Sequence, residues 1–175
     1  MKLNLKFVNK IPKGAIVNEI IFLKQKNIKI KGLKDISKSV FSSKLFNEQN
    51  FLKKDYNNKS YVFVNCTNLK ISLDFEKLGS KLFVFLKDHK IENSFLNERN
   101  NSLTSVQLEK ILHGLKLKSY NFSIYKTDQK MNDEIINLSI IGNNTKQKNL
   151  LRNKLNALLE GIFLTRNLVS EPGNI

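Results

Sequence analysis

Few residues in this 175-residue chain are of the types and spacings that do chemistry. The single cysteine, Cys66, can form no internal disulfide and fits a reducing cytoplasm. It reads as a small, partly buried apolar residue and not a nucleophile. The two histidines, His89 and His113, stand in separate segments with no neighbouring residues that suggest a site. The acidic residues are scattered, without His-x-x-x-His, Asp-x-Asp or Cys-x-x-Cys spacing. Asp133-Glu134 is the one adjacent acidic pair and reads as a solvated turn. Gly142-Asn143-Asn144-Thr145-Lys146 precedes a helix, which favours weak anion binding, but it has one glycine and lacks phosphate-loop spacing. Ser119 and Ser170 have no nearby His and read as structural or capping residues. Tyr120, Phe122 and Tyr125 beside Lys118 and Lys126 have the composition of a base-stacking platform. Aromatics anchoring an exposed connection onto a core are the preferred reading. The chain therefore offers no catalytic, cofactor-binding or metal-ligating residue.

The elements that would position these residues follow from hydrophobic periodicity. Lys2–Val8 alternates as a strand, with Leu3, Leu5 and Phe7 on one side. After a turn at Pro12-Lys13-Gly14, residues 15–23 form a nearly continuous apolar strand of the buried kind. Ile28, Ile30 and Leu33 lead into a helix beginning near Asp35, whose inner face is Ile36, Val40, Phe41, Leu45 and Phe46. Asn57-Asn58 is a turn, and Tyr61–Val64 is a short central strand. A helix then begins at Ser72, capped by Ser72 or Asp74, with Leu78, Leu82, Phe83, Phe85 and Leu86 inward. Gly79 inside it signals close packing, since glycine costs a helix about 1 kcal/mol relative to Ala. Residues 91–96 are a further strand. Residues 103–117 are a helix with Leu103, Val106, Leu108, Ile111, Leu112 and Leu115 on one broad face. Residues 135–141 form the last strand.

The final helix runs from Lys146 through Thr165 and fades near Val169–Ser170, before Pro172-Gly173. Asn144 or Thr145 caps it. Its apolar face is Leu151, Leu155, Leu158, Leu159, Ile162 and Phe163, opposite Arg152, Lys154, Asn156 and Glu160. A long amphipathic helix that turns and stops in mid-loop suggests a polypeptide that continues past Ile175. Strands alternating with helices imply an α/β domain with a helix-covered sheet.

Composition bounds the rest. The 41% hydrophobic share supports a real core, packed by Phe, Leu and Ile because Trp is absent. No apolar run is long enough for a membrane span, and the start has no apolar h-region, so a secretory signal is not expected. Thirty basic against 15 acidic residues give a net charge of +15, which points toward nucleic acid or acidic partners. The lysines, however, are spread along the whole chain, and Lys, Asn and Ile together follow AT-rich coding, so a solvated, compositionally biased surface is the plainer reading.

Two stretches carry a resemblance. Ser119-Tyr120-Asn121-Phe122-Ser123-Ile124-Tyr125-Lys126, at a helix end, resembles the Ser-Tyr-x-Phe-x-x-Tyr-Lys pattern that closes the amino-terminal domain of leucine (cytosol) aminopeptidases. Arg166-Asn167-Leu168-Val169-Ser170-Glu171-Pro172-Gly173-Asn174 resembles the Arg-Asp-Leu-x-Asn-x-Pro-x-Asn segment that opens their catalytic domain, with Asn167 where Asp is usual and Ser170 where Asn is common. Glu76-Lys77-Leu78-Gly79 follows the family's Glu-x-Leu-Gly, whereas Val64-Asn65-Cys66-Thr67 lacks its glycine-containing turn.

The resemblance implies an α/β fold, a mixed β-sheet flanked by helices on both faces, macro-domain-like. It divides the chain into residues 1–144, an amino-terminal non-catalytic domain, and residues 145–175, a linker helix with the start of a catalytic domain. Family members are two-metal exopeptidases, so two divalent ions, zinc or manganese, are expected in a catalytic domain beyond this chain. Implied partners are that domain and the subunits of a hexamer in the cytoplasm. A basic nucleic-acid-binding module is the alternative; an ADP-ribose-type ligand is disfavoured by the missing glycine turn.

Overall fold

The computed structural model describes residues 2–10, 18–24, 33–101, 103–122, 135–142 and 145–171. The expected turns at Pro12-Lys13-Gly14 and Gly142-Asn143-Asn144 (beyond Gly142), residues 15–17, Ile28, Ile30, Tyr125-Lys126, Asp133-Glu134 and Pro172–Ile175 lie outside the described residues. Six strands, five α-helices and one 3-10 turn (Glu98–Asn100) are seen among those described: β1 (Lys2–Val8), β2 (Asn18–Leu23), α1 (Lys34–Phe41), α2 (Lys44–Gln49), β3 (Phe51–Tyr56), β4 (Lys59–Asn65), α3 (Ser72–Asp88), β5 (Asn93–Asn97), α4 (Ser105–Ser119), β6 (Ile135–Ile141) and α5 (Thr145–Ser170). They form one sheet in the order β1-β6-β5-β2-β4-β3. All neighbours are parallel except β3 against β4.

Both faces of the sheet's middle are covered, which is why β2 and β4 read as continuous apolar runs. On one face Ile20, Phe22, Val62, Val64, Leu96, Leu138 and Ile140 pack with the inner residues of α3 and α4 and with Leu155 and Leu159 of α5. On the other, Ile21, Leu23, Tyr61 and Phe63 pack against Leu33, Ile36, Val40 and Phe46 from the α1–α2 side. The expected mixed sheet with helices on both faces is the observed architecture. Between β1, β6 and β5 the register is pinned by a row of asparagines: Asn4 Nδ2 donates to Asn137 Oδ1 (3.0 Å), and Asn137 Nδ2 to Asn93 Oδ1 (3.3 Å).

Several expectations need correction. The helix expected from Asp35 onward is two helices. The chain breaks at Ser42-Ser43 and restarts at Lys44, which rotates the phase, so Leu45 is 54% exposed while Phe46 is buried. Asn50, at φ 64°, ends α2 in the left-handed conformation that Asn tolerates. The strand β3 was not anticipated. Its charged centre, Lys53-Lys54-Asp55, suits an edge strand, and Asn57 (φ 47°) and Asn58 (φ 58°) form the two-residue loop that fits a twisted hairpin. Ser72 is the first helical residue and caps nothing. Asp74, the other expected cap, does act as one: it accepts the amides of Lys70 (3.0 Å) and Ile71 (3.1 Å), which holds its carboxyl below the usual carboxylate range. Val106 and Leu158 are exposed, off the faces assigned to them. α4 starts with an unforeseen reciprocal cap, Thr104 Oγ1 accepting from Gln107 N and Gln107 Oε1 from Thr104 N.

The close packing expected at Gly79 is real and mutual. A Cβ on Gly79 would lie 2.0 Å from the carbonyl oxygen of Ile111, and one on Gly114 would lie 1.9 Å from that of Glu76. α3 and α4 thus meet backbone to backbone at two glycines. Ser80 Oγ adds a bridge by donating to Gly114 O (3.1 Å). Since the obstructing atoms are main chain, Gly79→Ala and Gly114→Ala are each expected to cost about 3 kcal/mol. Gly161→Ala in α5, where nothing lies within 4 Å, should instead raise stability by about 0.5–1 kcal/mol. Urea-unfolding midpoints of the three variants check both signs.

Candidate functional site

The two stretches singled out in the sequence meet in space at the carboxy-terminal ends of α4 and α5. α5 lies on α4 through Leu155 and Leu159, with Leu151 and Phe163 half-buried beside them. A salt bridge from Lys154 Nζ to Glu109 Oε1 (2.8 Å) ties the two helices midway along. Where α4 ends, Tyr120 turns its ring onto Phe163, centroid to centroid 5.1 Å, and its hydroxyl donates to Asn167 Oδ1 (2.7 Å). The Arg166 guanidinium sits 5.3 Å from the Tyr120 ring centroid, and Arg166 Nη1 donates to Leu117 O (3.2 Å). A cation there satisfies an orphan carbonyl at the negative end of the α4 dipole while stacking over an aromatic face. Ser119 Oγ donates to Lys116 O (2.8 Å), so it closes its own helix end, as expected of a capping residue.

One layer further in, Lys116 Nζ donates to Leu3 O (2.8 Å), and burial lowers its amine below the usual lysine range. The same turn of α4 therefore holds β1 on one side and α5 on the other. This is a mechanical site: it fixes where α5 points. The Tyr120 ring is engaged by Arg166 and Phe163, which removes it from a base-stacking platform; Tyr125 and Lys126 lie outside the described residues.

The remaining candidates are structural. Cys66 is buried, and that burial pushes its thiol up to about 12 against a smaller opposing effect of Lys24. Its neighbours form an Asx turn, with Asn65 Oδ1 accepting from Thr67 N (3.0 Å) and Thr67 Oγ1 (2.7 Å), in place of the family's glycine-containing turn. His89 stacks on Phe85 at 4.0 Å, its Nδ1 2.9 Å from Phe85 O. His113, where the sequence suggested no site, lies beside Glu76. Its Nδ1 lies 3.1 Å from Glu76 Oε2 at the α3–α4 crossing, without hydrogen-bond alignment.

In an open parallel sheet a ligand sits at the carboxyl ends of the strands where the strand order reverses, here between β2 and β5. Among the described residues, Asn101 bridges the two strands there. Asn101 Oδ1 accepts from Phe22 N (2.7 Å), and Asn101 Nδ2 donates to Asn97 O (2.7 Å). Among the described residues no three His, Cys, Asp or Glu side chains converge as metal ligands. No described helix is long and apolar enough to cross a membrane.

The fold and this site define a class: a six-stranded α/β unit whose last helix is latched at its exit. The same architecture occurs in a solved variant of tomato leucine aminopeptidase (TM-score 0.65, 13% identity), which matches 99% of this chain and 39% of that one. That likeness concerns the fold. No family profile matches the chain. In sequence it is 29% identical over 174 residues to a probable cytosol aminopeptidase of Treponema denticola, covering 93% of this chain and 35% of the relative. Similarly named proteins of Phytoplasma mali (35% over 77 residues, 42% of this chain and 16% of the relative) and Phytoplasma australiense (33% over 72 residues, 39% and 15%) match shorter stretches. The chain is thus similar in sequence to proteins named probable cytosol aminopeptidases and in fold to a leucine aminopeptidase. It spans about a third of the length of the Treponema relative.

Two outcomes follow. Tyr120→Phe and Asn167→Ala should each cost about 1 kcal/mol, and the double variant clearly less than their sum, because both remove one bond; denaturant titration of the four proteins reads this. At pH 8 the Cys66 thiol should resist a disulfide reagent such as DTNB in the native state and react at once in urea. The unfolded thiol ionises near pH 8.5 and the folded one only near 12, so this contribution to stability is complete below about pH 8.5 and is lost as pH rises toward 12.

Proposed function

We propose that this chain is the amino-terminal, non-catalytic domain of a leucyl-aminopeptidase-like metallopeptidase, and that it serves oligomer assembly and the positioning of a catalytic domain. The observation that carries this reading is the meeting of the two family-like segments at Tyr120, Arg166 and Asn167. Segments 47 residues apart in sequence are locked together at the point where the family pattern passes from one domain to the next. The similarity to the Treponema relative over 93% of this chain supports it.

In this reading the parent protein removes amino-terminal residues from peptides in the cytoplasm. Two divalent ions, zinc or manganese, belong to the catalytic domain, where clustered carboxylates would hold them about 3.5–4 Å apart. This chain's carboxylates are dispersed, and its own share is mechanical: it presents α5 and Arg166 in a fixed direction and contributes surface to a hexamer.

The 175 residues alone should not hydrolyse leucine p-nitroanilide with or without added manganese or zinc. Metal-dependent release of nitroaniline by the purified chain would sink the proposal. Retention on DNA that falls steeply between low and moderate salt would instead favour the basic nucleic-acid-binding module.

A further inference from the structure

α5 carries two apolar stripes, and only one is used. Leu155 and Leu159 face α4 and are buried. Leu150, Ala157, Gly161, Leu164 and Leu168 recur at spacings of seven, four, three and four. At about 100° per residue this places them on a single line nearly opposite Leu155 and Leu159. That outer line is open: Leu150 is 71% exposed, and Leu164 and Leu168 are each 61% exposed. A helix serving only to close this domain would carry polar residues there.

Gly161 makes the stripe specific. A glycine inside a helix costs about 1 kcal/mol relative to Ala, and the other two helical glycines among the described residues, Gly79 and Gly114, each admit a neighbouring backbone. Gly161 admits nothing, since no atom lies within 4 Å of where its Cβ would be. It is a notch in the middle of an apolar ridge, cut for a contact that these residues do not make with one another. The latch of Tyr120, Arg166 and Asn167 grips the last turns of the same helix from the other side, so Leu164 and Leu168 are held facing outward.

We infer that this outer face of α5 is a docking ridge for the polypeptide region that the longer relatives carry beyond the part this chain matches, with an apolar side chain or backbone of that region lodged over Gly161. The inference rests on the domain-positioning reading above. One observation favours this occupant over a second copy: the chain matches only 39% of the tomato enzyme's chain, leaving about three-fifths of that polypeptide to pack against it.

The test uses a chimera in which this chain replaces the matched third of the Treponema denticola relative. Amide hydrogen exchange over residues 157–168 should be slower by about tenfold or more in the chimera than in the 175-residue chain alone. Leu164→Glu and Leu168→Glu in the chimera should restore the fast exchange, while Leu73→Glu, on the exposed side of α3, should leave the protection in place. Equal exchange in chimera and isolated chain overturns the proposal. Sedimentation of the 175-residue chain needs no chimera: a monomer at all concentrations agrees with the proposal, and a dimer abolished by Leu164→Glu overturns it in favour of a second copy. Hydrolysis by the chain alone would defeat the non-catalytic reading without touching this ridge, so the two failures are distinguishable.

Discussion

The approach of α3 to α4 at Gly79 and Gly114 is the constraint on which the rest of one face depends. With side chains at these positions the helices would have to separate by the width of at least a methyl group on both sides of the crossing, because the opposing atoms are main-chain oxygens that cannot rotate away. The distance between two helices sets the depth of everything laid over them. Below, it brings Leu78, Leu82, Ile111 and Leu112 together onto the strands. Above, it gives α5 a surface shallow enough for Leu155 and Leu159 to reach the same core cluster. The His113–Glu76 contact, at the level of the crossing, is possible only at this separation.

From that platform the influence passes outward through one turn of α4. Lys116, Leu117, Ser119 and Tyr120 bind β1, Arg166, their own helix end and Asn167 in turn. A displacement of α4 would therefore move the edge strand and the exit of α5 together. The opposite end of the sheet is equally committed. Asn101 completes the hydrogen bonding of β2 past its short pairing with β5, using the position that open α/β sheets usually leave to a ligand. Among the described residues, both this position and the end of α4 hold parts of the chain together.

Much of this was legible from residue patterns, and the failures have physical causes. Buried strands and helices announce themselves by period, as at Ile20–Leu23, Tyr61–Val64 and Leu78–Leu86. The strand β3 did not, because an edge strand with Lys53, Lys54 and Asp55 has no apolar face to advertise; only the following Asn57-Asn58 hinted at a hairpin. Leu45 and Phe46 were indistinguishable until the break at Ser42-Ser43 set the helix phase. Gly79 was readable as a close contact, but its counterpart Gly114 lay unremarked in a helix of ordinary pattern. For the site, periodicity identified both helices, yet nothing in it says that Tyr120 reaches Asn167; that pairing is a property of tertiary geometry between residues 47 apart. Asn101 was likewise invisible, since a single asparagine after a strand is ordinary loop composition.

The position of Asn167 shows how such a latch can tolerate substitution. The leucine-aminopeptidase-like pattern has Asp where this chain has Asn, and an ionised Asp could accept the Tyr120 hydroxyl as well as Asn167 Oδ1 does. What the amide removes is a negative charge next to Arg166. Here Arg166 obtains its stabilisation from the Leu117 carbonyl at the end of α4 and from the Tyr120 ring. The latch therefore rests on a neutral hydrogen bond, a ring face and a helix terminus, none of which requires a paired carboxylate. In a domain of net charge +15, the geometry of this exit thus does not depend on bringing a carboxylate to Arg166.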